Sequence, residues 1–375
     1  MSKNRELTEQ FRLLVERAYS TSTVYRALCS ALYQDEVLLS WLAQIAAPPQ
    51  KKTALLLAGV QWLLTTSDTR HPLADWYQAS TAGWSPESVT EERSLYRHFR
   101  AFCDQHWQQL IHLMRTREIQ YSDPGRAALL LPALTVAASW IGEPLSLIEA
   151  GAGAGFNLLF DRYAYLYVQR DQIWHYSSVS TALDLSCTVT GRPLLFSPGG
   201  LLPSVQSRLG IDLAPLAFED EQDRAWIMAF LPPDDPGLRL RVQTAIEVAR
   251  ADAIPMVAGD ALALLPDLLG SERHGVSTLF FSFVLWQWSP TQRAQLHALL
   301  TSYRRPLAVL ILDRSPCKHS EVAPVQLTVT LYHHGKPQQT THLATCHPNG
   351  SWMLWHGEER EEYDPHTTAQ AGQSC

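Results

Sequence analysis

A short apolar run that ends in alternating glycines constrains this chain more than anything else in it. Leu145-Ser146-Leu147-Ile148 leads into Glu149-Ala150-Gly151-Ala152-Gly153-Ala154-Gly155-Phe156-Asn157, after which Leu158, Leu159, Phe160 and Tyr163 resume helical spacing. A buried strand that stops on glycines and passes into a helical pattern is the first turn of a doubly wound α/β domain. Glycine allows the backbone to turn sharply out of the strand and to approach a ligand without an intervening side chain. The amides opening the next segment then face that ligand. Dinucleotide enzymes space these glycines G-x-G-x-x-G for a pyrophosphate. Here Gly151, Gly153 and Gly155 alternate, and an acidic residue, Glu149, precedes them.

The flanking pattern fits that turn. Short apolar runs recur at 209–213, 255–258, 278–284 and 307–313, separated by helical stretches at 222–231, 238–251 and 291–303. Buried strands alternating with helices predict a mostly parallel sheet covered on both faces. Val325–Leu331 alternates with period two, and the runs at 341–345 and 351–355 complete an expected antiparallel meander. Before Pro144 the pattern is helical throughout, with Phe11, Leu14 and Val15 on one face and Phe99, Phe102, Trp107 and Leu110 on another. The expected organisation is therefore a helical region over 1–143, a Rossmann-like region over 144–357 and a polar tail over 358–375. An insertion is expected at about 165–200.

Bulk properties narrow the class. A net charge of -7 argues against a protein that grips nucleic acid through a global basic field. The start of the chain shows no apolar signal core, and no uncharged apolar run reaches the ~20 residues a bilayer span needs. The longest, Ala127–Ile141, reads as a buried helix. The 6 cysteines lack paired spacing, as expected for reduced thiols in the cytoplasm. Histidine and cysteine accumulate after Cys317 but without the close pairs of zinc modules, so no metal site is expected. Neither a nucleophile elbow nor a P-loop is present.

Several side chains join the glycine turn as candidates for ligand binding. A carboxylate at the end of the second strand would accept ribose hydroxyls. Asp212 has that form about 60 residues beyond the loop, against the usual ~20, which the insertion explains. Asp171 has the usual spacing but follows no clean buried strand, so Asp212 ranks above it. Asp260, in Gly259-Asp260-Ala261, either meets an adenine amino group or caps the helix after it. Asn157 lies where its amide would meet a ligand. Gln120, Asp123 and Arg126 either close over cofactor and substrate or, for the last two, form an ion pair, with Asp123-Pro124 as a cap and first helical position. Arg162 joins them as a substrate-side candidate, or forms a solvated pair with Asp161. Ser282, near the end of the fourth strand, is the one candidate for contact with the reacting group. Trp286 and Trp288 either stack on a flat substrate or fill core.

The glycine turn with its acidic prefix resembles motif I of class I S-adenosylmethionine-dependent methyltransferases. Over roughly Phe11–Trp355 the chain also resembles a bacterial domain-of-unknown-function family, number 2332. That likeness is carried by His71-Pro72-Leu73-Ala74, by Gln120-Tyr121-Ser122-Asp123-Pro124-Gly125-Arg126, by Leu130–Leu134, by Glu149–Tyr163, and by the segments around Asp212 and Asp260. The family usually has Gln-Thr-Asn-Glu at 120–123, a histidine at Phe281 and Ser-Asn-Glu at 312–314, and this chain departs at all three. The resemblance implies a Rossmann-like fold, S-adenosylmethionine as cofactor and a small-molecule substrate. It implies the glycines and Glu149 beside the methionine end of the cofactor, Asp212 at the ribose and Asp260 at the adenine. The alternatives are a non-catalytic nucleotide- or partner-binding module and an NAD(P)-dependent oxidoreductase.

Overall fold

The computed structural model describes residues 2–18, 22–66, 70–142, 144–177, 183–194, 202–271, 275–314 and 325–357. The chain divides into two compact units: Met1–Ser122 with Leu216–Ile246, and Asp123–Pro215 with Glu247–Cys375.

The first unit is helical. It contains α1 (Ser2–Leu13), α2 (Thr23–Leu32), α3 (Glu36–Ala43), α4 (Pro49–Thr66), α5 (Pro72–Thr81) and α6 (Val89–Thr116). Helix α4 is its hub, burying Leu55, Leu56, Leu57, Ala58 and Val60. Its Gln61 is buried among them and fully engaged. The Tyr25 hydroxyl donates to Gln61 Oε1 at 2.9 Å, and Gln61 Nε2 donates to the carbonyls of Met228 (3.0 Å) and Leu231 (3.1 Å). Helix α6 starts on a capping box in which Ser88 and Glu91 satisfy each other's orphan amides, and it kinks at His106.

The second unit is built on one sheet. Helix α7 (Ala127–Ile141) belongs to it and packs against β4, β8 and β9, whose ranges follow. The stretch Pro124–Ile141 is apolar and long enough to cross a membrane, yet 72% of it is buried within the protein, which makes it a core helix. The strands are β1 (Leu145–Ala150), β2 (Ala164–Gln169), β3 (Gln172–Tyr176), β4 (Asp184–Gly191), β5 (Val205–Asp212), β6 (Met256–Ala258), β7 (Thr278–Ser282), β8 (Leu307–Arg314), β9 (Val325–His333), β10 (Lys336–Cys346) and β11 (Trp352–Trp355). They join in the order β3-β2-β4-β11-β10-β9-β8-β7-β1-β5-β6. Strands β6, β5, β1, β7 and β8 run parallel, and β9, β10 and β11 follow as an antiparallel meander.

The expected α/β architecture, helical N-terminal region and C-terminal meander are all present. Two local features differ from expectation. The segment after the glycine turn, Phe156–Arg162, is a 3-10 stretch kinked at Leu159 rather than a full α-helix. The inserted segment is three strands of the same sheet, with β4 parallel to β11 and β2 parallel to β4. The helical unit also contains α8 (Glu221–Met228) and most of α9 (Pro236–Ala251), and the α/β unit contains α10 (Ala261–Gly270) and α11 (Pro290–Ser302). One sheet face, carrying Ile148, Ala150, Leu279, Phe281 and Val309, packs with Leu265, Leu269, Leu296 and Leu300 of α10 and α11.

Candidate functional site

The strand order reverses at β1. Strands β5 and β6 lie to one side of it, and the next parallel strands, β7 and β8, lie to the other. In doubly wound sheets such a reversal opens a crevice beyond the carboxyl ends of the two strands that flank it, and ligands bind there. Here those ends carry the glycine loop and Ser282.

The loop is held in a conformation that its glycines make possible. Gly151, Gly153 and Gly155 have φ of 74°, 56° and 72°, in the left-handed region that side chains disfavour. A Cβ on Gly151 would sit 2.2 Å from Val284 Cγ2. Four loop amides are spent inside the protein. Gly151 and Ala152 donate to the Ile211 carbonyl (2.8 and 3.0 Å), Gly153 to Asp212 Oδ2 (2.8 Å) and Gly155 to the Ala152 carbonyl (2.8 Å). A pyrophosphate site relies on such amides pointing outward, and these four point to β5 or back into the loop.

Asp212 is thus a partner of the loop itself. It ends β5 beside β1, half-buried, and its second oxygen accepts the Ala214 amide at 3.0 Å. Asp171 is exposed on the β2–β3 turn at the opposite edge of the sheet. Asp260 is exposed and caps α10, accepting the Leu262 amide at 2.8 Å.

Glu149, Asn157 and Ser282 are buried polar residues at this end of the sheet. Glu149 is 1% exposed, and its Oε1 accepts from Asn157 Nδ2 at 2.7 Å. Among the described residues its Oε2 has no hydrogen-bond partner, nor do Asn157 Oδ1 and Ser282 Oγ, although all three atoms are buried. Glu149 pairs in register with Phe280, and Ser282 lies two residues further along β7. With the period-two alternation of strands, Glu149 and Ser282 share one face, opposite the face packed on α10 and α11. Burial pushes the Glu149 carboxyl up to about 8, while the Asn157 hydrogen bond and nearby Arg126 pull the other way. Asn157 is therefore turned to Glu149 by its amide, with only its carbonyl oxygen left over.

The remaining candidates have partners of their own or lie in the other unit. Asp123 caps the short turn Pro124–Arg126 by accepting the Gly125 amide at 2.9 Å. Arg126 is buried, stacks its guanidinium 4.3 Å from the Phe283 ring and donates to the Pro348 carbonyl at 3.3 Å. Gln120 is buried in the helical unit. Arg162 pairs with Asp252 at the surface and, at 3.6 Å, with Asp161 as expected, while Asp161 is also gripped through both oxygens by Arg208 at 2.7 and 2.8 Å. Of the tryptophans, Trp288 meets Phe281 edge-on in the core, and Trp286 lies under the Arg314 guanidinium at 4.2 Å.

Sequence reasoning passed over Phe283 and Asp313. Phe283 follows β7 with φ of 59°, a strained setting for a bulky side chain and one that clusters at functional sites. Its carbonyl accepts from Trp286 Nε1 at 3.0 Å. Asp313 is 7% exposed, accepts the Trp286 amide at 2.9 Å, and is pushed above the usual carboxylate range by burial. The one signal for either residue was the departure from the family pattern at Leu312-Asp313-Arg314. Among the described residues no three histidine, cysteine, aspartate or glutamate side chains converge as metal ligands. His347 bonds Asn349 in a turn, and His356 lies 3.0 Å from Thr345 Oγ1. Cys317 and His319 fall outside the described residues.

Comparison with curated proteins finds no match. Residues 8–355 match the model of DUF2332, described as an uncharacterized protein conserved in bacteria. With nearly its whole length matched, this chain belongs to that bacterial family.

Proposed function

We propose that the α/β unit binds S-adenosylmethionine at the carboxyl ends of β1, β5 and β7 and transfers its methyl group to a small molecule. The observation that carries this proposal is the glycine loop, whose left-handed turns bring the backbone to the crevice while its amides are bound to Ile211 and Asp212. Such a loop offers close approach without a phosphate nest. That favours a nucleoside carrying no phosphate over a dinucleotide, and so disfavours the NAD(P) alternative. The donor set also fits: a half-buried carboxylate at the end of β5 for ribose hydroxyls, and buried oxygens of Glu149, Asn157 and Ser282 that have no partner among the described residues.

In this proposal Asp212 both ties the loop down and receives the ribose. Gly151, Gly153 and Gly155 keep side chains out of the space the methionine end enters, and Glu149 orients that end. Asp260 lies at the rim toward the adenine while capping α10. Ser282 faces the reacting end, with Phe283 and Arg126 beside it on the acceptor side. When bound, the cofactor supplies an electrophilic methyl group. What the protein must add is in-line positioning and exclusion of water, which needs no conspicuous catalytic side chain. We place this activity in the cytoplasm, where the buried thiols of Cys29, Cys103, Cys187 and Cys346 would stay reduced.

Calorimetric titration with S-adenosylmethionine tests the cofactor. Binding lost on Asp212→Ala supports the assignment, and absence of both heat and thermal shift in the wild type overturns it. A second reading is a non-catalytic module of the same fold, favoured by the departures at Phe281 and Asp313. Cofactor binding without methyl transfer across a broad panel of nucleophiles would select it.

A further inference from the structure

We propose that helix α5 is an acid-operated latch within the helical unit, held to α6 while His71 is neutral and released when His71 takes a proton. The latch is independent of what the α/β unit binds. It is built from a cluster of rings. His98, Phe102 and His106 follow one another at four-residue spacing on α6, which places them on one stripe of that helix. Helix α5 packs on α6, and the rings meet there. The His71 ring stands edge-on to Phe102 at 5.1 Å, and Phe102 lies 4.3 Å from His106. Further along α5, Trp76 lies 6.0 Å from His98 and 4.9 Å from Trp84. Helix α6 leaves helical geometry at His106 itself, with φ of -110° and ψ of 17°.

One hydrogen bond fixes the form that His71 takes here. Its Nδ1 accepts the Leu73 amide at 3.1 Å and so caps the start of α5. A ring nitrogen that accepts carries no proton, and the capped helix therefore needs the neutral imidazole. Protonation turns that lone pair into a second N–H, which the Leu73 amide then faces donor to donor. The cap is lost, and the ring that joins it to Phe102 becomes a cation. The surroundings do nothing to offset that charge. Partial burial, and next the charges of His106 and His98, hold the imidazole below its ordinary 6.5. Both of those neighbours come from α6. Helix α4 also packs on α5 but places no charged group against His71, and Arg70 and Asp75 of its own segment are exposed. His98 Nδ1 and His106 Nε2 are buried and have no hydrogen-bond partner among the described residues. The sign follows from linkage. A histidine held low in the folded chain contributes stability that is fully present above 6.5 and is lost as pH falls through the folded value.

Hydrogen exchange of the full chain, read by mass spectrometry at about pH 7.5 and about pH 5, tests the latch against His71→Asn. Asparagine is a good cap and does not titrate in this range, and comparing the two proteins in one buffer cancels the intrinsic pH dependence of exchange. The expected result is equal protection of the α5 amides, residues 73–81, at the higher pH. At the lower pH the wild type should be about tenfold less protected there than the variant, while α2 stays alike in both. A wild-type-to-variant ratio for α5 that is the same at the two pH values overturns the proposal. Loss of protection shared equally by α2 and α5 overturns it as well. If His71→Asn does not fold, the wild type alone decides. Protection of α5 relative to α2 must then fall between the higher and the lower pH, and a constant ratio overturns the proposal.

Discussion

Gln61 and Glu149 are both polar, both buried, and both at the centre of their units, yet only one is finished. Gln61 donates to two carbonyls and accepts from Tyr25, so helix α4 and the segment around Met228–Leu231 are held by a polar pin with no unmet bonds. Glu149 has one oxygen bonded and one without a partner among the described residues, and Asn157 Oδ1 and Ser282 Oγ likewise have none. Closed networks add rigidity to a core. An open one raises the energy of the empty state, and that energy returns when a partner enters. The helical unit is finished at Gln61 in this sense, and the α/β unit is unfinished at Glu149.

The largest expected effect would break the closed side of this contrast. Gln61→Ala takes away the acceptor of the Tyr25 hydroxyl and one of the two donors to the Met228 and Leu231 carbonyls, which Arg239 Nη1 still meets at 3.3 Å, and leaves a cavity in the core. It should destabilise the protein by roughly 3–5 kcal/mol in denaturant titration. A loss under 1 kcal/mol would mean that the pin is not structural. Next comes the open side, with a defined sign. A carboxyl whose folded value is raised from 4.5 to about 8 contributes stability that is fully present below about pH 4.5. That contribution is lost as pH rises through about 8. Glu149→Gln should therefore gain on the wild type by a few kcal/mol between pH 5 and 8, measured by unfolding at several pH values. The smallest effect separates two roles for one residue. Asp260→Ala should cost about 1 kcal/mol for the lost cap. If it also weakens S-adenosylmethionine binding more than about threefold, Asp260 reaches the cofactor as well; unchanged affinity would leave it a cap alone.

The architecture was legible because it rests on periodicity. Apolar runs such as Leu145–Ile148 and Thr278–Val284 can bury both faces only inside a parallel sheet, and the alternation in Val325–Leu331 marks an antiparallel strand. The glycine turn was legible for the same local reason, since three alternating glycines have few uses other than positive φ. What stayed hidden depends on partners distant in sequence. Nothing local tells that Asp161 is held by Arg208 as well as by Arg162, or that Asn157 turns its amide back to Glu149. Phe283 carries no sign of its left-handed backbone, because its conformation is imposed by the Leu312 carbonyl and Trp286 around it. The inserted strands β2 to β4 were hard to read because their final neighbour, β11, lies more than a hundred residues further along.

That late neighbour has a consequence for how the chain is made. Strands β2, β3 and β4 emerge from the ribosome well before β11, and until β11 arrives the exposed edge of β4 has no mate. Distant pairings of this kind slow folding and leave strand edges open to wrong partners. Birth of the protein is thus safest where synthesis of the stretch between Gly191 and Trp352 is quick, or where a chaperone shields the waiting edge. A nascent chain halted before Trp352 should be markedly more prone to aggregate than one released four residues later.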